Sequence, residues 1–225
     1  HLQRYQDAID AYRDALGRRL SEHEIPYAFY SIGLAYLQLD QPAEAATQFA
    51  QVIERYPTSP VAAESQYLLG TAKQAQGDLP GALDAYNKVL RNHPQSPFAA
   101  YAAFGIAGSQ FRRGQYEQAL AAYDRVLTDY ATSSVAPEAA LRKGDCLFHL
   151  GRWDDAAAAY QKVSADEQSQ FAPEALYWLG VTRERQGRTD DALRAHERLV
   201  ASHPQSTHVG DAWLRIGIIK LSLIH

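Results

Sequence analysis

Apolar residues in this chain follow a helical rhythm, and the rhythm itself recurs. Ala119, Ala122, Tyr123 and Val126 stand at i, i+3, i+4 and i+7, the spacing that puts side chains on one face of an α-helix. The same pattern surrounds Ala8, Ala45, Ala82, Ala119, Ala156 and Ala192, which succeed one another at 37, 37, 37, 37 and 36 residues. Gly70, Gly144, Gly180 and Gly217 mark a second series with the same period. Each period predicts two helices. The first carries small apolar residues over 62–76, 99–113, 136–150 and 173–186, and a turn follows at Gly77, Gly114, Gly151 and Gly187. Glycine there supplies the left-handed residue that closes a helix. The second helix then carries the alanine-centred stripe.

Prolines and serines separate the pairs, as in Tyr56-Pro57-Thr58-Ser59-Pro60 and His93-Pro94-Gln95-Ser96-Pro97, with His203-Pro204-Gln205-Ser206-Thr207 a close variant. The first proline ends a helix because it has no backbone N–H to donate; the serine is expected to cap the next helix and the second proline to open it. The stretch 165–170 holds the one-residue deletion and is the expected joint. Fixed self-similarity of this kind predicts a solenoid, in which each pair buries its apolar face only against its neighbours.

Composition changes the picture in three ways. Of the 225 residues 38 are alanine, which has the highest helix propensity and lets helices approach closely. A net charge of −4 argues against a nucleic-acid partner, which calls for a basic face. The single cysteine allows no internal disulfide. No apolar run reaches the ~18 to 20 residues needed to span a bilayer. No signal peptide is visible, and with no methionine and half-repeats at both ends the chain is expected to be a piece of a longer protein.

These residues resemble the tetratricopeptide repeat, whose pattern runs from an aromatic through Leu-Gly and Tyr to Ala, Phe, Ala and Pro. Phe29, Ile32-Gly33, Tyr36, Ala45, Phe49, Val52 and Pro57 carry it in the second unit; Leu69-Gly70, Ala82, Tyr86, Val89 and Pro94 carry it in the third. The fourth has Ala107 for the glycine, and the sixth has His196 at the aromatic position. The resemblance implies an all-α, right-handed superhelical solenoid of antiparallel helix pairs. The expected organisation is a single array over 1–225: a half repeat 1–24, repeats 25–61, 62–98, 99–135, 136–171 and 172–208, and a half repeat 209–225. The phrase around Tyr56-Pro57 is similar to repeats of bacterial envelope proteins, among them an outer-membrane-assembly lipoprotein and a Tol-Pal-associated protein. That likeness implies a periplasmic or outer-membrane-associated scaffold, with a cytoplasmic location as the alternative.

In this family the first helices line the concave face. The resemblance therefore places Tyr27, Tyr30, Tyr67, Tyr101, Phe104, Phe111, Phe148 and Tyr177 there as partner-binding residues, with Leu34, Leu141 and Leu214 beside them. Such rings suit a peptide or helix of a partner protein, because aromatic anchors dominate binding energy. They equally suit packing between adjacent first helices. Stacking on sugar rings, as in a polysaccharide export machine, and self-assembly through the terminal half repeats are the alternatives.

Glu64, Glu138, Glu174 and Asp211 begin first helices, where a carboxylate complements the helix dipole; together with Asp145 and Glu184 they would otherwise form an acidic rim. Asp154-Asp155 and Asp190-Asp191 begin second helices as further dipole complements. Cys146 fills a slot held elsewhere by Ala35, Ala72, Ser109 and Thr182, the setting of an inert packed thiol. His203, His208 and Asp211 are the nearest approach to a metal set. No catalytic motif appears, so no enzyme activity, cofactor or metal is expected. Relatives that clamp chaperone tails carry asparagine after the Leu-Gly pair; here Leu34, Thr71, Gly108, Asp145, Val181 and Ile218 stand there, which disfavours that role.

Overall fold

A computed structural model describes residues 2–18 and 20–222. Among the described residues there are twelve α-helices and no strand. The chain divides into two units, His1–Arg113 and Gly114–His225. The first holds α1 (Leu2–Gly17), α2 (Ile25–Gln38), α3 (Pro42–Arg55), α4 (Ala62–Ala75), α5 (Leu79–Asn92) and α6 (Phe98–Arg112). The second holds α7 (Tyr116–Asp129), α8 (Ala136–His149), α9 (Trp153–Ser164), α10 (Ala172–Arg185), α11 (Thr189–Ser202) and α12 (Val209–Ser222). Within each unit every helix packs against the next in sequence, and α4 also meets α6. This is the all-α helical-repeat fold that the period predicts.

In the pairs α2–α3, α4–α5, α8–α9 and α10–α11 the two helices are fixed by a ring laid on a glycine. A Cβ on Gly33 would stand 2.7 Å from the Phe49 ring, and one on Gly70 or Gly144 would stand 2.5 Å from Tyr86 or Tyr160. Gly180 meets His196 in the same way. No side chain fits at such distances, so only glycine lets the second helix come this close. Tyr86 is held on both sides, since a Cβ on Gly105 of α6 would lie 2.7 Å from its opposite edge. That shared ring accounts for the α4–α6 approach.

The residue after Gly70 and Gly144 matches the tip of the ring laid on it. Thr71 accepts from the Tyr86 hydroxyl at 3.4 Å, and Asp145 from the Tyr160 hydroxyl at 2.8 Å. Leu34 follows Gly33, opposite a phenylalanine that has no hydroxyl to satisfy. Around the rings the buried alanines Ala45, Ala82, Ala156 and Ala192 admit the close helix approach.

The turns keep the expected chemistry at the glycines and depart from it at the serines. Gly77, Gly114, Gly151 and Gly187 have φ of 71° to 80°, and Asp40 takes the same place in the earliest turn at 57°. The serines do not cap helices. Ser59, Ser96 and Ser169 accept from the backbone N–H two residues on and shape the junction turn, whereas the helices begin after Val61, Pro97 and Phe171 with no side-chain cap. Pro60 thus lies before α4 and Pro97 at the α6 boundary rather than inside the first turn. The one-residue deletion is absorbed by α9, which has 12 residues, while the 165–171 junction closes the same hydrogen-bonded turn as the others.

Candidate functional site

In the first unit the first helices α2, α4 and α6 carry six of the eight sequence-predicted rings: Tyr27, Tyr30, Tyr67, Tyr101, Phe104 and Phe111. Tyr27 is 37 % exposed and meets the edge of His23; the others are half-buried. Their partners explain the burial. Tyr30 leans on Phe49 with ring centres 6.3 Å apart. Burial and the neighbouring Glu64 carboxylate together hold its hydroxyl protonated well beyond the usual range. Tyr67 stacks on Phe98 at 5.8 Å and tilts against Tyr101 at 5.9 Å and Tyr86 at 5.8 Å. Burial drives the Tyr86 hydroxyl up to about 12. Tyr67, Phe98 and Tyr101 therefore form one aromatic patch across α4 and α6, each ring partly open to solvent. Phe98 is a member that periodicity missed, because it sits at the helix boundary.

In the second unit Phe148 on α8 and Tyr177 on α10 are half-buried and join through Trp178. Phe148 meets Trp178 edge-on at 5.5 Å and Trp153 at 5.3 Å; Tyr177 meets Trp178 at 5.4 Å and stacks on His208 at 5.0 Å. Leu141 corrects the sequence reading: it is fully buried against Ala156 and Tyr160 and offers nothing to a partner. Leu214 lies on an open face, 65 % exposed.

The carboxylates whose alternative reading is an acidic rim are, in this unit, largely neutralised by arginine. Arg142 pairs with Glu174 at 2.8 Å, Asp145 at 2.9 Å and Glu138 at 3.6 Å. Burial opposes the guanidinium charge, but the bonds to Glu174 and Asp145 outweigh it and strengthen its hold on the proton. Burial also lifts the Asp145 carboxyl above its ordinary range, against the pull of Arg142 and Tyr160. On α10, Glu184 is shared between Arg215 at 2.7 Å and the fully buried His196 at 2.8 Å. Burial makes His196 harder to protonate than an ordinary histidine, with Glu184 opposing that shift and Arg215 adding to it. Arg215 also lies 5.5 Å from the centre of the Tyr177 ring, a cation–π arrangement. The sequence signal for this cluster was the lone histidine at a ring position; its partner Arg215 lies 31 residues from Glu184 and was not legible.

Cys146 is buried, and burial pushes its thiol up to about 12, so the thiolate nucleophile is suppressed. Among the described residues no group of three or more His, Cys, Asp or Glu side chains is placed to hold a metal ion, His203, His208 and Asp211 included. Among the same residues no helix is long and apolar enough to cross a membrane.

Residues 27–178 match the tetratricopeptide repeat-like domain, and residues 151–207 match the tetratricopeptide repeat. No curated protein matches the sequence. Solved structures share the fold. The C-terminal part of a repeat protein from Cytophaga hutchinsonii superposes with a TM-score of 0.75 at 13 % identity, over 93 % of this chain and 78 % of that one. A repeat protein from Parabacteroides merdae gives 0.69 at 18 % identity, over 88 % and 73 %. YrrB, described as a repeat protein with an unusual peptide-binding site, gives 0.64 at 19 % identity, over 88 % and 94 %. With the family domain spanning well over half of its residues and its rings seated on the repeat glycines, the chain belongs to the tetratricopeptide repeat family.

Proposed function

We propose that this chain is a non-catalytic scaffold in the bacterial cell envelope that binds a peptide or helix of a partner protein. The observation that carries the reading is the half-open patch of Tyr67, Phe98 and Tyr101, with the more exposed Tyr27 on α2 as a further ring of the same first-helix series. Rings fixed on rigid helices present apolar area with little ordering cost, which favours docking of a short segment. The peptide-binding site named for YrrB supports the same use of the fold. The envelope location rests on the Tyr56-Pro57 junction phrase and its likeness to envelope proteins.

The test is a pull-down from an envelope extract with the chain and with a Tyr27→Ala/Tyr101→Ala variant whose helicity is unchanged by circular dichroism. A partner captured by the parent and lost from the variant supports the reading. Equal capture by both, or retention on immobilised glycans in place of protein, refutes it.

A second reading, self-association, is favoured by α12. Trp213, Leu214, Ile218 and Leu221 are 57 % to 65 % exposed, and among the described residues no atom lies within 4 Å of a Cβ built on Gly217, the place where other pairs seat a ring. A mass that rises with concentration in light scattering, and falls to that of one chain on Trp213→Ser/Ile218→Ser, is the expected result for this reading.

A further inference from the structure

Two grooves in the second unit occupy equivalent places one repeat apart and differ in charge. The first, of about 510 Å³, lies between α7 and α9 over α8. Two of its three cations are matched, Lys143 by Asp124 at 2.6 Å and Arg152 by Asp155 at 2.6 Å, which leaves Lys162. The second, of about 460 Å³, lies between α9 and α11 over α10. Gln161 replaces the Asp124 carboxylate there, Arg183 stands in place of Leu147, and Arg194 stands in place of Ala158. Arg188 and Arg198 take the places of Arg152 and Lys162, so that four guanidinium groups line one groove.

Few carboxylates answer them. Asp191 is the one that lines the groove, shared by Arg188 and Arg194. Arg198 reaches Glu167 at 2.8 Å and the Ser164 carbonyl at 3.2 Å. Arg183 donates to the neutral Gln186 Oε1 at 3.0 Å and to no carboxylate among the described residues. Asp190 lies in the adjoining notch beside Arg188, with its side chain exposed. In a chain whose net charge is −4, four arginines against one lining carboxylate thus make a cationic surplus at this groove, where the preceding repeat sets three cations against two carboxylates. All four cations are arginines, whose planar fork matches a carboxylate in bidentate fashion. The groove wall adds aliphatic surface from the half-buried Leu179.

We propose that this arginine groove is a second binding site, separate from the aromatic face, and that it takes an acidic segment of a protein partner in which Asp or Glu alternates with aliphatic residues. The carboxylates meet Arg183, Arg194 and Arg198, while the aliphatic side chains rest against Leu179. A nucleic acid is the less fitting occupant, because a backbone with regular charge calls for a longer basic track than this groove provides.

The test is fluorescence anisotropy of the whole chain with a labelled Glu-Leu-Glu-Leu-Glu-Leu peptide. Saturable binding that weakens as salt rises is expected. Arg183→Gln/Arg194→Ala should weaken it at least tenfold. Lys162→Ala, in the first groove, should leave it within twofold, and so should Tyr27→Ala/Tyr101→Ala on the aromatic face, which keeps the two sites distinguishable. Helicity of each variant is checked by circular dichroism. No binding by the parent, equal binding by the double arginine variant, or binding of single-stranded oligonucleotide in place of the acidic peptide overturns the proposal.

Discussion

Replacing Gly144 by alanine tests the contact that sets the spacing of a helix pair. In an open helix the change is favourable by about 1 kcal/mol, since alanine has the higher propensity. Here the new methyl would stand 2.5 Å, 2.8 Å and 2.9 Å from three atoms of the Tyr160 ring. The ring has little room to retreat: it is fully buried, and its hydroxyl is tied to Asp145 at 2.8 Å. Overpacking of this kind costs about 1–3 kcal/mol, and disturbing a hydrogen bond to a charged group costs about 1.5–3 kcal/mol. Partial relaxation keeps the two from adding fully, so the expected net loss is about 2 kcal/mol after the propensity gain. Gly217 is the internal control, for it holds the same repeat position with, among the described residues, no atom within 4 Å of a built Cβ. Gly217→Ala should stabilise by about 1 kcal/mol. Urea unfolding followed by circular dichroism reads both variants, with the slope checked because repeat chains can lose two-state behaviour. A combined Gly144→Ala/Tyr160→Leu variant should be better than the sum of its parts, by about 1 kcal/mol of coupling. If Gly144→Ala matches or exceeds the parent, the ring-on-glycine account of helix spacing is refuted.

Other consequences follow from single sites. Asp40→Gly, at φ 57°, should raise stability by about 0.5 kcal/mol, the left-handed strain removed being partly offset by greater freedom of the unfolded chain; the thermal midpoint reads it. His196, harder to protonate when folded, binds fewer protons in the folded than in the unfolded chain, so stability should decline as pH falls below about 6.5. His196→Phe should flatten that part of the pH profile, and a profile unchanged by the substitution would contradict the assignment. Arg142→Met leaves Glu138, Asp145 and Glu174 facing one another and should cost about 2 kcal/mol near pH 7, less than a fully buried pair because the cluster is partly exposed. The deficit should shrink toward pH 4 as these carboxyls take up protons in the variant, as urea midpoints across pH would reveal.

Local chemistry was legible because it repeats. The alanine and glycine series located the helices to within a residue or two, and the turn glycines proved to have the positive φ that their position implied. The serines misled because a serine before a helix can act in two ways: capping the first turn, or closing the turn ahead of it. Ser59 and Ser96, followed by proline, and Ser169, followed by Gln170, all close the turn ahead of the helix, so proline is not what selects it. Leu141 misled because a first-helix position in register with partner-facing rings was assigned outward, whereas a leucine there packs onto Tyr160. The arginine-centred clusters were not legible at all. Arg142 to Glu174 and Arg215 to Glu184 join residues 32 and 31 apart, and only the packing of successive pairs brings them together.

The matching of Tyr86 to Gly70 and of Tyr160 to Gly144 makes the hairpin the unit of inheritance. A duplication or deletion cut at the proline–serine junctions carries Tyr160 with Gly144 and Asp145, or Tyr86 with Gly70 and Thr71. A cut at the glycine turns separates lock from key and sets a tyrosine hydroxyl opposite Leu34 or Val181, which cannot accept it, when the first helix comes from those units. Lineages built this way should gain or lose length in whole-hairpin steps, with crossovers at the junctions.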